Sequence, residues 1–191
     1  MINLVFFGAP GSGKGTQSDI LEEKFGVKHV STGEMLREEI RNNTELGKIA
    51  DTLISKGNLA PDELVIKILR NTIEEQEGHG LIFDGFPRTI PQLHALDKIL
   101  LEYNQKIDLV ISLDAPEETL IERLLKRGKV SHRADDNRES IEQRLTVYHE
   151  QSEAVMHEYE KQGKLIHIAG VKPIEEIAND IEIAVKNHLK E

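Results

Sequence analysis

The 191-residue sequence contains no cysteine. Disulfides and thiolate metal sites are therefore excluded, including a structural zinc held by cysteines, and a reducing compartment suits the chain. No apolar run approaches the roughly 20 residues of a membrane span. The segment from Met1 to Phe7 lacks the basic start and the length of a secretory signal. These absences lead us to expect a soluble, cytoplasmic protein with no membrane partner. An excess of positive charge is lacking too. The formal net charge is −10, which argues against a general nucleic-acid binder. The eight histidines show no metal-ligand spacing and read as structural or exposed. Neither an internal repeat nor a low-complexity linker interrupts the chain. Its length suits one α/β domain with a buried core and a small insertion.

What is present is organised around Gly8-Ala9-Pro10-Gly11-Ser12-Gly13-Lys14-Gly15-Thr16. An apolar run, Ile2 to Phe7, precedes it, and an amphipathic run, Gln17 to Phe25, follows. Strand, glycine-rich turn and helix together form the context of a phosphate-binding loop. Glycines let successive backbone N–H groups face one anion, and the helix start adds its orphan N–H groups and positive dipole end. Lys14 supplies a charge for the β/γ-phosphates. The residue after Lys14 is Gly15, with the hydroxyl one place later at Thr16, so a metal contact from Thr16 stays open.

Short apolar runs alternate with helical patterns along the rest of the chain. Strands are expected at Ile2–Phe7, Lys28–Val30, Leu81–Asp84, Asp108–Leu113 and Lys164–Ile168. This alternation predicts a five-stranded parallel sheet between helical layers, an α/β/α architecture. Ligands of such sheets gather beyond the carboxyl ends of the strands. Between Ser31 and Pro61 two helical stretches, Glu34–Arg41 and Thr44–Lys56, have no strand between them and read as an excursion from the sheet. Ser31 or Thr32 caps the first; Arg37 lies one turn on, as a site residue or a solvated cation. Pro61, Asp62 and Glu63 open a core-facing helix.

Asp84 closes a buried strand. It reads either as a turn-former or as a carboxylate that holds Mg²⁺ through water, since magnesium in phosphate sites borrows one or two carboxylates and keeps its waters. Arg88 has a fixed donor fork suited to phosphate, and Gln92 reads either as an amide placed to read a base edge or as an exposed helix residue. Pro116 to Arg127 predicts an amphipathic helix ended by Gly128, with Arg123 and Arg127 on one face. A polar loop carries Arg133, Asp135 and Asp136. The two aspartates read as a metal pair or as a hinge and helix start. Asn137 caps a long helix from Arg138 to about Gln162 that carries Arg144. A last amphipathic helix begins at Ile174. Five arginines (Arg88, Arg123, Arg127, Arg133, Arg144) thus fall at strand ends, helix ends or a loop, either as one cluster or as separate surface cations.

Gly8–Gln17 (GAPGSGKGTQ), Ser31–Arg37 (STGEMLR), Asp84–Thr89 (DGFPRT), Arg133–Asp136 (RADD) and Arg144 together give the chain a close resemblance to the adenylate kinase family, in its short-lid branch. The resemblance covers nearly the whole length, and Gly15-Thr16 is the family's usual ending of the loop. It implies Mg²⁺-dependent transfer of the terminal phosphoryl group from ATP to AMP, giving two ADP. It implies that Gly11, Ser12, Gly13, Lys14, Gly15, Thr16, Arg123, Arg127 and Lys172 bind ATP. Thr32, Arg37, Asn58, Leu59, Ala60, Gly85, Phe86, Pro87, Arg88, Gln92, Arg133 and Arg144 would hold AMP. Lys14, Arg88, Arg123, Arg133 and Arg144 would act on the reacting groups. It further implies a core of residues 1–30, 61–125 and 138–191, an AMP-binding flap at 31–60, a short lid at 126–137, and a monomer. Glu34, Ala60 and His132 depart from commoner family residues (Asp, Val and Gly), and Ala60 lies near the AMP base. Two rivals stay open. A UMP/CMP kinase shares the lid and the arginines but usually has Ala at the place of Thr32. A non-catalytic nucleotide-binding module would need no second set of arginines.

Overall fold

A computed structural model describes residues 2–76, 78–131, 133 and 135–190. Two positions of the expected lid, His132 and Ala134, lie outside the described residues. Five strands alternate with helices: β1 (Leu4–Phe7), α1 (Lys14–Phe25), β2 (Lys28–Ser31), α2 (Thr32–Arg41), α3 (Glu45–Ile54), α4 (Asp62–Glu75), β3 (Leu81–Asp84), α5 (Ile90–Glu102), β4 (Leu109–Asp114), α6 (Glu117–Ser131), α7 (Arg138–Val147), α8 (Glu153–Lys161), β5 (Leu165–Ala169) and α9 (Ile174–His188). The strands are parallel in the order β2-β3-β1-β4-β5. The expected strands are all present, Leu81–Asp84 with the expected bounds and the others with ends displaced by a residue or two.

Alternation along each strand explains the layers. Val5, Phe7, Val30, Phe83 and Val110 point to one face, where Leu36, Leu69, Leu93, Leu96, Val155 and Tyr159 cover them. Leu4, Phe6, Ile82, Ile111 and Leu113 point to the other, against Leu21 of α1 and Ile177, Ile181 and Val185 of α9. Strands apolar on both faces belong to a sheet sandwiched between helices. A smaller cluster of Ala9, Leu120, Leu124, Ile141 and Leu145 seats the loop after β1 on α6 and α7. Register then sets the site. Ser31 pairs with Asp84, and Phe6 pairs with Asp84 on the other side, so the ends of β2, β3 and β1 form one edge.

The expected flap, residues 31–60, carries two helices, α2 and α3, that pack against each other. Ser31 caps α2 by accepting from the Glu34 N–H, and Thr44 caps α3 by accepting from the Gly47 N–H. A Cβ on Gly47 would lie 2.1 Å from the Glu39 carbonyl oxygen, so the two backbones touch where only glycine fits.

Two expectations are corrected. Gly128 does not end its helix; α6 runs on to Ser131. Its missing side chain serves a close approach instead, since a Cβ there would sit 2.7 Å from the Asp136 carbonyl oxygen. The long helix after Asn137 is also not uniform. Asn137 does cap α7, accepting from the Ser140 N–H at 3.0 Å. A π-helical turn, Tyr148–Ser152, then separates α7 from α8. The wider turn rotates the buried stripe. Ile141 and Leu145 therefore face the phosphate-loop cluster, whereas Val155 and Tyr159 face the sheet.

Candidate active site

At the carboxyl edge of the sheet lies a cleft of about 970 Å³, and beside it under the flap a narrow pocket of about 70 Å³. The loop after β1 forms the floor of the cleft. Gly8 has φ +136°, and a Cβ on it would meet the Ser12 hydroxyl at 2.5 Å and the Leu113 carbonyl at 2.7 Å. Gly13, in the left-handed region, turns the chain into α1. These conformations suit glycine alone. Lys14 folds back across the loop and donates from Nζ to the Gly8 carbonyl at 2.7 Å and the Ala9 carbonyl at 3.3 Å. Burial lowers its pKa to about 8; Asp84 opposes that fall, while Arg88, Arg144 and Arg127 reinforce it.

Asp84 stands opposite. Burial on its own would raise its pKa, but His29, Lys14 and Arg88 hold the carboxyl below its ordinary value. It stays ionised, and a Cβ on Gly15 would lie 4.0 Å from its Oδ2. An ionised oxygen donor set at the mouth of a phosphate loop fits a magnesium ion that keeps most of its water. His29 was not singled out by the sequence. Its Nε2 lies 3.6 Å from Asp84 Oδ2, and its Nδ1 lies 3.2 Å from Asp19 Oδ1. Burial works against its charge, yet the two carboxylates outweigh it and raise the His29 pKa. Only the register of β2 on β3 reveals that proximity.

The segment after Asp84 carries the next cation. Arg88 Nε donates to the Gly85 carbonyl at 2.9 Å, and the guanidinium lines the cleft together with Phe86 and Pro87. Thr32, 4% exposed, donates its hydroxyl to the same carbonyl at 2.9 Å. Gly85 has φ +78°, and a Cβ on it would crowd Thr32 and Arg88. Thr32, Arg37, Asn58, Leu59, Ala60, Gly85, Arg88, Gln92 and Arg144 share the wall of the narrow pocket.

The remaining cations arrive from α6, α7 and the loop between them. Arg123 donates to the Gly170 carbonyl at 2.9 Å. Arg127 grips Asp136 with two bonds of 2.7 Å. Arg144 reaches Asp135 Oδ2 at 2.9 Å and Asp136 Oδ1 at 3.1 Å. Arg133 pairs with Glu34 of the flap, whose carboxylate also takes Arg37 at 2.7 Å. Neither reading of Asp135 and Asp136 anticipated this: both carboxylates are spent on site arginines. Among the described residues no group of three or more His, Cys, Asp or Glu could hold a metal ion. Lys172 lines the outer cleft, and its ammonium lies 2.5 Å from Asp180. Glycines 11, 13 and 15, Ser12, Thr16, Arg123, Arg127 and Arg133 line the same cleft. The six principal cations, Lys14, Arg88, Arg123, Arg127, Arg133 and Arg144, therefore converge on one cavity of an acidic protein.

Such a cavity can accept a large polyanion along its floor and a second one under the flap. Comparison with known proteins points the same way. The family model described as adenylate kinase matches residues 6–164. An adenylate kinase of Phocaeicola vulgatus is 52% identical over 187 residues, covering 97% of this chain and 99% of the relative. One from Bacteroides fragilis is 52% identical over 186 residues, covering 97% and 98%. One from Porphyromonas gingivalis is 48% identical over 179 residues, covering 93% and 92%.

Proposed function

Because the chain belongs to the adenylate kinase family, we propose that its cleft performs the family reaction with the residues that converge there. The protein is a nucleoside monophosphate kinase. It moves the terminal phosphoryl group of ATP reversibly onto AMP, giving two ADP. In the forward direction the bond from the γ-phosphorus to the β–γ bridging oxygen breaks. A new bond forms to an oxygen of the AMP phosphate.

Phosphoryl transfer asks little covalent chemistry of a protein; it asks for alignment and for cations around a spreading negative charge. Gly11 to Thr16 bind the ATP phosphates through backbone N–H groups, and Lys14 swings from the Gly8 carbonyl onto the β/γ oxygens. Arg123 and Arg127 hold the ATP phosphates, and the backbone near Gly170 and Lys172 meets its base. Thr32, Arg37, Gly85, Phe86, Pro87, Gln92 and residues 58–60 hold AMP. Arg88, Arg133 and Arg144 stand between the two nucleotides and stabilise the group in flight. Asp84 would hold Mg²⁺ through water, and the ion would supply neutralisation of the phosphate charge. Residues 31–60 act as a flap and 126–137 as a short lid that exclude water, which would otherwise capture the phosphoryl group. All these residues come from one chain, in keeping with a monomer. Among the described residues no helix is long and apolar enough to cross a membrane, which fits the cytoplasmic setting we propose.

The observation that carries this reading is the convergence of Lys14 and five arginines on one cleft. Thr32, at a place where UMP/CMP kinases usually have Ala, favours AMP as acceptor over CMP or UMP. A coupled assay of ADP formation with ATP and each of AMP, CMP and UMP tests it. AMP should be the best acceptor by a wide margin. A preference for CMP or UMP, or tight ATP binding with no ADP formed, would overturn the reading.

A further inference from the structure

Gln92, 2% exposed, forms part of the wall of the narrow pocket. Both ends of its side-chain amide are already held. Oε1 accepts from the Arg88 backbone N–H at 2.8 Å, and Nε2 donates to Asp62 Oδ1 at 2.8 Å. A backbone N–H can only donate, and a carboxylate can only accept, so these partners dictate which end is oxygen and which is nitrogen. Asp62 is itself fixed. It is the first residue of α4, where the flap rejoins the core, and its Oδ2 accepts from Thr89 Oγ1 at 3.0 Å. Thr89 in turn caps α5 by accepting from the Gln92 N–H at 3.3 Å. Asp62 lies outside the lining of both cavities.

We propose that Asp62 is a specificity-determining positioning residue: by locking the Gln92 amide in one orientation, it makes the acceptor pocket select a 6-amino purine over a 6-oxo purine. The inference rests on the reading of this pocket as the AMP site. Each end of the amide keeps one free valence, an N–H on the Asp62 side and a lone pair on the Arg88 side. Adenine presents an acceptor at N1 and a donor at its 6-amino group. Hypoxanthine and guanine present the reverse, a donor at N1 and an acceptor at O6. An amide free to turn over could serve either pattern. In this protein turning it over sets its oxygen against the Asp62 carboxylate and its NH₂ against the Arg88 N–H. That loses a charge-assisted bond and faces like groups in a buried place. The chain thus pairs a reader, Gln92, with a lock behind it that no nucleotide touches.

The test compares AMP with IMP as acceptors for the wild type and Asp62→Ala, with CMP and UMP as controls. The wild type should favour AMP over all three. In Asp62→Ala the ratio of kcat/KM for AMP to that for IMP should fall at least about tenfold, the value of one charge-assisted hydrogen bond. The KM for AMP should rise more than kcat falls. A merely structural loss would lower both acceptors together and leave the ratio in place. Asp62→Asn, which keeps the volume and can present either a donor or an acceptor, reads the same ratio should the alanine variant fold poorly, and it too should lower it. An unchanged ratio in a folded variant, with wild-type AMP preference intact, would overturn the lock alone. A wild type that prefers CMP or UMP would overturn both the lock and the AMP-site reading beneath it.

Discussion

Five of the six principal cations of this cleft fall into two groups that are held differently; Arg123, on α6 but bonded to the Gly170 carbonyl, stands between them. The inner group, Lys14 and Arg88, grows from the carboxyl ends of β1 and β3 and leans on backbone carbonyls, those of Gly8, Ala9 and Gly85. The outer group, Arg127, Arg133 and Arg144, comes from α6, α7 and their connecting loop and leans on carboxylates, those of Glu34, Asp135 and Asp136. A carbonyl is a weak tether, so an arriving phosphate takes the inner cations at little cost. A carboxylate is a rival anion, so phosphate must displace it or share the arginine with it. On the reading we propose, the floor would be ready in advance, whereas the outer ring would have to exchange partners as substrate enters.

The comparison fails most visibly if the inner group proves dispensable. Lys14→Met and Arg88→Ala should each lower kcat by about 10³-fold or more, in line with cations that act on a transferring phosphoryl group. The coupled assay reads this, with circular dichroism to show that the variants fold. Turnover near that of wild type would place either residue outside the reaction.

The outer group should show a stability effect as well as a kinetic one. The Asp136 side chain is fully buried between Arg127 and Arg144, which are 34% and 15% exposed. Asp136→Ala leaves both guanidinium groups without it. Breaking a buried pair costs about 3–5 kcal/mol, and the partial exposure of the arginines reduces our expectation to about 2 kcal/mol. Urea denaturation measures it. A variant as stable as wild type would show that solvent, not Asp136, balances those charges.

A pH series sharpens the contrast, because only the inner group contains a cation that burial makes labile. With the Lys14 pKa at about 8, kcat/KM for ATP reports the free enzyme. It should fall about tenfold per pH unit above that value. Stability should move the other way. Between about 8 and the ordinary lysine value of 10.5 the unfolded chain binds the proton that the folded chain has released, so the contribution of this group to unfolding free energy rises with pH. Lys14→Met should remove that upward contribution; an identical stability profile would assign it elsewhere.

The smallest effect should come from Glu34, whose side chain is 46% exposed. If it competes with phosphate for Arg37 and Arg133, Glu34→Gln should lower the KM for AMP about twofold, the worth of an exposed ion pair. A rise would mean that Glu34 aims these arginines rather than detaining them.

Much of this is legible in the sequence. The phosphate loop, the strand ending in Asp84 and the residue Arg88 stand out, because each lies within a few residues of a strand end whose apolar run is plain, whereas Gln92 reads equally well as an exposed helix residue until the fold buries it. The five-stranded sheet follows from the alternation of runs. What stayed hidden depends on contacts between distant residues. His29 meets Asp84 only through strand register. Asp135 and Asp136 look like a loop until α6 and α7 bring arginines to them. Gly128 resembles a helix stop, yet its lack of a side chain answers to Asp136 across a gap in sequence. Asp62 reads as an ordinary helix-start acid, and nothing local links it to Gln92. The π-helical turn leaves no mark in a pattern whose apolar residues merely change faces.

The seam at Gly47 has a mechanical consequence. With the α3 backbone seated on Glu39 of α2, any side chain at 47 would force the two helices apart, so the flap we propose owes its close packing to that glycine. If this pair moves as one piece on our proposed reading, bending would fall where it joins the body, around Ser31 and around Ala60-Pro61. It would then work like an oar, stiff along the blade and pivoting at the rowlock. A bulkier residue at 47 would disturb the stroke without touching a nucleotide.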